Sequence, residues 1–140
     1  MRLGGDEARA RFATVPVVRL GTADGQGRPH VVVVTFAVDG DMIYTAVDQK
    51  PKSTTALKRL RNVAENPWVT MLADQYSEDW ETIWWARADG SAAILAEPAE
   101  MAGPLRLLAS RYWQYREKPP TGPVLAVTVQ RWLGWAGASS

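Results

Sequence analysis

The chain has 140 residues, of which 46% are hydrophobic and 22% charged, with a net charge of +1; this is enough for one domain with a substantial core, spanning residues 1–140, but not for two. It contains no cysteine and a single histidine, His30, which excludes disulfides, thiolate nucleophiles, and zinc or iron–sulfur centres held by Cys or by paired His. A near-neutral chain is a poor ligand for nucleic acid, no apolar run approaches the ~20 residues needed to cross a bilayer, and Arg2, Asp6, Glu7, Arg9 and Arg11 stand where a signal peptide would be apolar. The expectation is a cytoplasmic protein with neither a membrane nor a nucleic acid as partner.

In chain order, residues 6–12 read as a short helix and 15–22 as a strand, which ends in the Gly- and Asp-rich turn 23–27. Residues 30–38 are β-branched and apolar at both alternating sets of positions, so this strand is expected to be buried on both faces. The tight turn Asp39-Gly40-Asp41 leads into a third strand, 42–47, completing a three-stranded meander. A helix follows, with Ser53 or Thr54 as N-cap, Leu57, Leu60 and Ala64 on its apolar face, and Asn66-Pro67 as its stop. Residues 68–73 and 80–95 are the next strands, and Asp89-Gly90 marks a bulge in the second of them rather than a hairpin. A helix from Pro98 carries Met101, Leu105, Leu108 and Tyr112 on one face, and Gly103-Pro104 is a place for it to kink or start late. After the break at 119–123, residues 124–129 form the last strand, and 136–140 are a loose, flexible tail. Six strands with singly inserted helices add up to a mainly β fold, a Greek-key β-barrel with helical excursions.

Two local concentrations stand out. Five of the sixteen Lys and Arg residues fall at Lys50, Lys52, Lys58, Arg59 and Arg61, where a loop turns into a helix. Unpaired backbone N–H groups and the helix dipole favour an anion at such a place, a phosphate above all. Seven tryptophans are the other: Trp80, Trp84 and Trp85 cluster on one strand and Trp132 and Trp135 near the end. Trp84 and Trp85 should face opposite sides of their strand, and large aromatics outside a core are typical of subunit interfaces and of pockets for flat ligands.

Taken together, the segments 27–36 (GRPHVVVVTF), 50–67 (KPKSTTALKRLRNVAENP), 78–90 (EDWETIWWARADG) and 111–123 (RYWQYREKPPTGP) resemble the split β-barrel flavin and deazaflavin oxidoreductases, the superfamily of pyridoxamine 5′-phosphate oxidase, and within it the branch dependent on coenzyme F420. The resemblance runs from about residue 7 to residue 135. It implies a six-stranded split barrel that forms a homodimer with cofactor sites at the subunit interface. The cofactor ring would lie against Val32, Val33, Val34 and Thr35, mainly through backbone groups. Its phosphate would be held around the following helix, where Arg59 and Asn62 stand at the family's basic and amide positions. The loop 49–55 is longer than the family pattern, so two phosphate-binding sets stay open: Lys50, Lys52 and Ser53 with Thr54, or the helix pair Lys58 and Arg59. Trp80 occupies a position where relatives place an aromatic residue near the cofactor.

The resemblance further implies hydride transfer between the deazaflavin and an unsaturated or quinone-like small molecule. The protein supplies position, electrostatics and exclusion of water, and the proton comes from a tyrosine, solvent or the substrate. No single catalytic acid stands out. FMN in the same fold, or a carrier protein without turnover, are the alternative readings.

Overall fold

The computed structural model describes the backbone of residues 1–47 and 54–140 and the side chains of 1–47 and 57–140. Among these residues the elements are β1 (Arg2–Leu3), α1 (Gly5–Phe12), β2 (Val18–Ala23), β3 (Pro29–Val34), β4 (Ala37–Asp39), β5 (Met42–Ala46), α2 (Thr54–Glu65), β6 (Trp68–Gln75), β7 (Trp84–Leu95), α3 (Pro98–Arg111), α4 (Trp113–Glu117) and β8 (Val124–Ala136). The strands form one antiparallel sheet in the order β3-β2-β6-β7-β8-β5-β4, with β1 on β8. The mainly β split-barrel architecture is as expected, but it has eight strands rather than six.

One extra strand is β1. The other arises because the single strand expected over 30–38 breaks at Thr35-Phe36 into β3 and β4, which lie at opposite edges of the sheet. The meander is therefore not formed. Pairing cannot continue through this point because Phe36 turns fully inside, its ring edge-on to Phe12 at 5.2 Å, while the chain crosses from one edge to the other and closes the barrel. Nor is β3 buried on both faces. Val34 is buried and Val32 packs against the core, whereas Val31 and Val33 are 65% and 61% exposed.

The bulge at Asp89-Gly90 is present as a register shift between β7 and β8. Gly90 is required there by close approach, because a Cβ would run into the carbonyl oxygen of Thr128. The interior is filled by alternating residues of the strands, among them Leu20, Met71, Ala86, Ala88 and Val127. Helix α1 plugs this core with Ala8 and Phe12, and Phe12 also meets Trp132 edge-on at 5.2 Å. Helix α3 packs Leu108, with Met101, Leu105 and Tyr112, over Ala37, Ala46 and Val124; it begins at Pro98, so Gly103-Pro104 does not delay it.

Helix α2 is rotated from the face expected. Leu60 packs against the core as expected, but Leu57 is 60% exposed and Ala64 is exposed, while Asn62 (2% exposed) and Val63 are buried. An amide can occupy this position because Asn62 Nδ2 donates to the buried Thr22 Oγ1 at 3.0 Å. The final strand is also longer than expected, running to Ala136 and taking in Trp132 and Trp135. The tail beyond it is tied down: Gly137 N donates to Ile83 O and Ser139 N to Glu81 O, both at 2.8 Å.

Candidate cofactor site

The crossing at Thr35-Phe36 is held by side chains more than 70 residues further along the chain. Tyr112, which separates α3 from α4, places its hydroxyl 2.8 Å from Pro16 O and 3.1 Å from Phe36 O as donor, and accepts from Phe36 N at 3.1 Å. Arg111 Nη1 donates to Phe36 O at 3.1 Å and Nη2 donates to Val15 O, with the guanidinium 4.3 Å above the Phe36 ring. Burial raises the Tyr112 phenol above its ordinary value, against the opposing effects of its bond to the Phe36 backbone and of Arg111.

One turn further on, the half-buried Tyr115 brings its hydroxyl 2.6 Å from Thr35 Oγ1, and either oxygen can be the donor. Its ring stands edge-on to Tyr112 at 5.5 Å. Arg59 approaches from α2. Burial lowers its guanidinium below the ordinary value and the nearby Tyr115 opposes that shift; an arginine nonetheless stays charged. Its Nε is buried without a hydrogen-bond partner among the described residues. Two hydroxyls thus meet at the end of β3, with a partly desolvated guanidinium within electrostatic reach of Tyr115, a set of groups suited to a ligand oxygen carrying negative charge.

The residues expected at the site divide accordingly. Thr35 is hydrogen-bonded to Tyr115, and Arg59 interacts with Tyr115 electrostatically. Val32 and Val34 face inward and Val33 outward, so only the backbone of β3 is common to all three. The Asn62 amide is engaged with Thr22 and docks α2 on β2. Lys58 is half-buried and its charge reaches Asp24, whose carboxyl is held below its ordinary value chiefly by the backbone N–H of Arg28. Lys50, Lys52 and Ser53 lie outside the described residues; Thr54 opens α2, and its side chain lies outside them too.

Trp80 is not on a strand. It sits in a turn where Asp79 Oδ1 accepts from Glu81 N and Asp79 O from Thr82 N, and it is 77% exposed. This local Asx turn is what delays the strand to Trp84. Trp84 is buried and Trp85 faces out, on opposite sides of β7 as expected. Sequence reasoning named Tyr112 only as part of the apolar face of the helix from Pro98, and did not single out Tyr115 or Arg111. The signal available was the run Arg111-Tyr112-Trp113-Gln114-Tyr115, too polar and aromatic for a plain helix end.

A second feature lies on the outer face of β6 and β7, a cavity of about 420 Å³ lined by Leu72, Asp74, Tyr76, Trp85 and Arg87. Arg19 Nη1 binds Asp74 Oδ1 at 2.8 Å on one side of it. Asp89 lies on the other side; burial alone would raise its carboxyl, but hydrogen bonds from Arg87, Thr70 and Arg131 hold it below its ordinary value. In register, Val33, Arg19, Leu72 and Arg87 run side by side across four strands on this face. Among the described residues no group of three His, Cys, Asp or Glu could hold a metal ion, and no helix is long and apolar enough to cross a membrane.

The family model described as Pyridoxamine 5′-phosphate oxidase matches residues 5–136. No curated protein matches the chain. Among solved structures, a heme storage protein from Vibrio cholerae is similar with a TM-score of 0.75 at 16% identity, covering 100% of both chains. An FAD-binding protein from Mesorhizobium loti has a TM-score of 0.69 at 17% identity, covering 96% of this chain and 95% of its own. An FAD binding protein from Mycobacterium smegmatis has a TM-score of 0.68 at 16% identity, covering 96% and 98% respectively. At these identities the likeness is one of fold.

Proposed function

Since the chain belongs to the pyridoxamine 5′-phosphate oxidase family, we propose that it is a homodimeric oxidoreductase that binds the deazaflavin coenzyme F420 and reduces an unsaturated or quinone-like small molecule. The observation that carries this reading is the donor set at the end of β3. Thr35 and Tyr115 present hydroxyls 2.6 Å apart, Arg59 interacts electrostatically with Tyr115 and has an Nε with no partner among the described residues, and these groups suit the polar, anionic edge of a flavin-type cofactor. Arg59 and Lys58 belong to the same cationic segment as Lys50, Lys52 and Arg61, which suits the phosphate and the longer anionic tail of the deazaflavin.

When bound, the cofactor supplies hydride chemistry. The chain's own residues orient it along the β3 backbone, offset its charge and exclude water. A second reading keeps the fold and takes a flavin, and it is supported by the two similar FAD-binding structures. Quenching of tryptophan fluorescence, titrated in parallel with F420 and with FMN, separates the two. Tighter binding of F420 is expected. Equal or tighter binding of FMN would overturn the deazaflavin assignment while leaving the family intact.

A further inference from the structure

Resting on the reductase reading above, we propose that Tyr115 is the catalytic acid, hydrogen-bonding the oxygen of a conjugated carbonyl acceptor and passing its proton to it. An acceptor of this class takes hydride at carbon, and charge collects on its oxygen. The protein must meet that charge with a donor that is neutral at working pH and can give up a proton. A phenol does both, whereas a guanidinium carries a fixed positive charge and does not give up a proton.

The structure distinguishes Tyr115 from the other candidates. The Tyr112 hydroxyl is already committed, accepting from Phe36 N and directed at the carbonyls of Pro16 and Phe36. His30 lies on β3 five residues before Thr35, about 16 Å away along an extended strand. Tyr115 is half-buried, and its one hydroxyl partner among the described residues, the Thr35 hydroxyl, can donate as readily as accept. With Thr35 donating, the Tyr115 O–H is free to point at a ligand. Arg59 is close enough to interact electrostatically with the phenol oxygen.

When bound, a reduced flavin-type cofactor would supply hydride to the carbon end of the conjugated system and leave charge on the acceptor's oxygen; the Tyr115 O–H bond breaks as a new O–H bond forms on that oxygen. The electron pair stays on Tyr115, where the Thr35 hydrogen bond and the Arg59 charge stabilise it until water returns the proton. No further oxidant or reductant is needed.

The test has one arm without cofactor and one with it. In the first, 4-nitrophenolate, a stable oxyanion on a conjugated ring, is titrated into cofactor-free protein and followed by its visible absorbance. Wild type should bind it, Tyr115→Phe should weaken binding about tenfold, and Thr35→Val, which leaves the phenol but removes its partner, should weaken it several-fold. In the second, Tyr115→Phe should lower turnover of a quinone by about a hundredfold or more with cofactor affinity changed less than threefold. Phenolate affinity that is the same in wild type and both variants would overturn the assignment. So would undiminished turnover in Tyr115→Phe. A wild type that binds the phenolate through Tyr115 but neither deazaflavin nor flavin would sink the reductase reading separately.

Discussion

At the scale of single residues, the arginine and two tyrosines near Thr35 have separable jobs. Arg59→Ala removes a charge-assisted donor from the proposed phosphate or ring contact and should weaken cofactor binding by about 1–3 kcal/mol. Thermal unfolding should change little, since the lost group is partly desolvated and its Nε has no partner among the described residues to leave behind. Fluorescence titration and a melting curve on the same variant check both halves. Tyr112 acts on stability instead. Its phenol is raised above the ordinary value of about 10, so the folded state holds this proton more tightly than the unfolded chain does. The stabilisation is fully present below pH ~10 and is lost as pH rises through the folded value. Tyr112→Phe should cost about 1–2 kcal/mol at neutral pH and flatten the alkaline fall in stability, as measured by urea unfolding across that window. Arg59 could be singled out in the sequence as a candidate because its position is defined locally, relative to the Asn-Pro helix end. Tyr115 was not, because its role depends on a partner 80 residues away.

At the scale of elements, what could be read was what local chemistry decides. The β7 bulge follows from a glycine within an apolar run, and the α3 stripe from its spacing. Gly90→Ala should be poorly tolerated, since the clash is with the backbone of Thr128, which has no rotamer to change. A loss of about 1–3 kcal/mol is expected, visible as a lowered urea midpoint. What could not be read was set by the neighbours of an element. The valine run looks the same whether it stays in one strand or crosses between edges, and Phe12, Arg111 and Tyr112 decide that it crosses at Phe36. Helix α2 keeps Leu60 against the core but leaves Leu57 exposed and turns Asn62 and Val63 inward, where Thr22 offers the amide a partner.

At the scale of the molecule, the outer face is unusually apolar for a lone barrel. Val31, Val33, Leu72 and Trp68 are exposed, and the first three share the outer side of β3 and β6 with Trp85 and a cavity of about 420 Å³. A single-domain protein rarely leaves such a surface uncovered, and a second copy facing it would bury the valines and give Arg19 and Arg87 a drier setting. Sedimentation of cofactor-free protein at micromolar concentration should therefore give about twice the 15.4 kDa chain mass. Val33→Glu should shift the population towards monomer and weaken cofactor binding with it. A stable monomer that binds cofactor tightly would contradict this interface.

The position of β8 in the sheet bears on how the chain acquires its structure. This last strand pairs with β7, β5 and β1, so it joins two groups of strands that, among the described residues, have no other pairing in the sheet. Strands β3, β2, β6 and β7 can assemble into a four-stranded ladder as soon as residue 95 is available, but β4 and β5 form only a hairpin, which is marginal by itself. The barrel must wait for residues 124–136 before it can close. Folding is then governed by sequence-distant pairings, in the slower regime of milliseconds to seconds, and a nascent chain carries an open β7 edge until its final strand arrives.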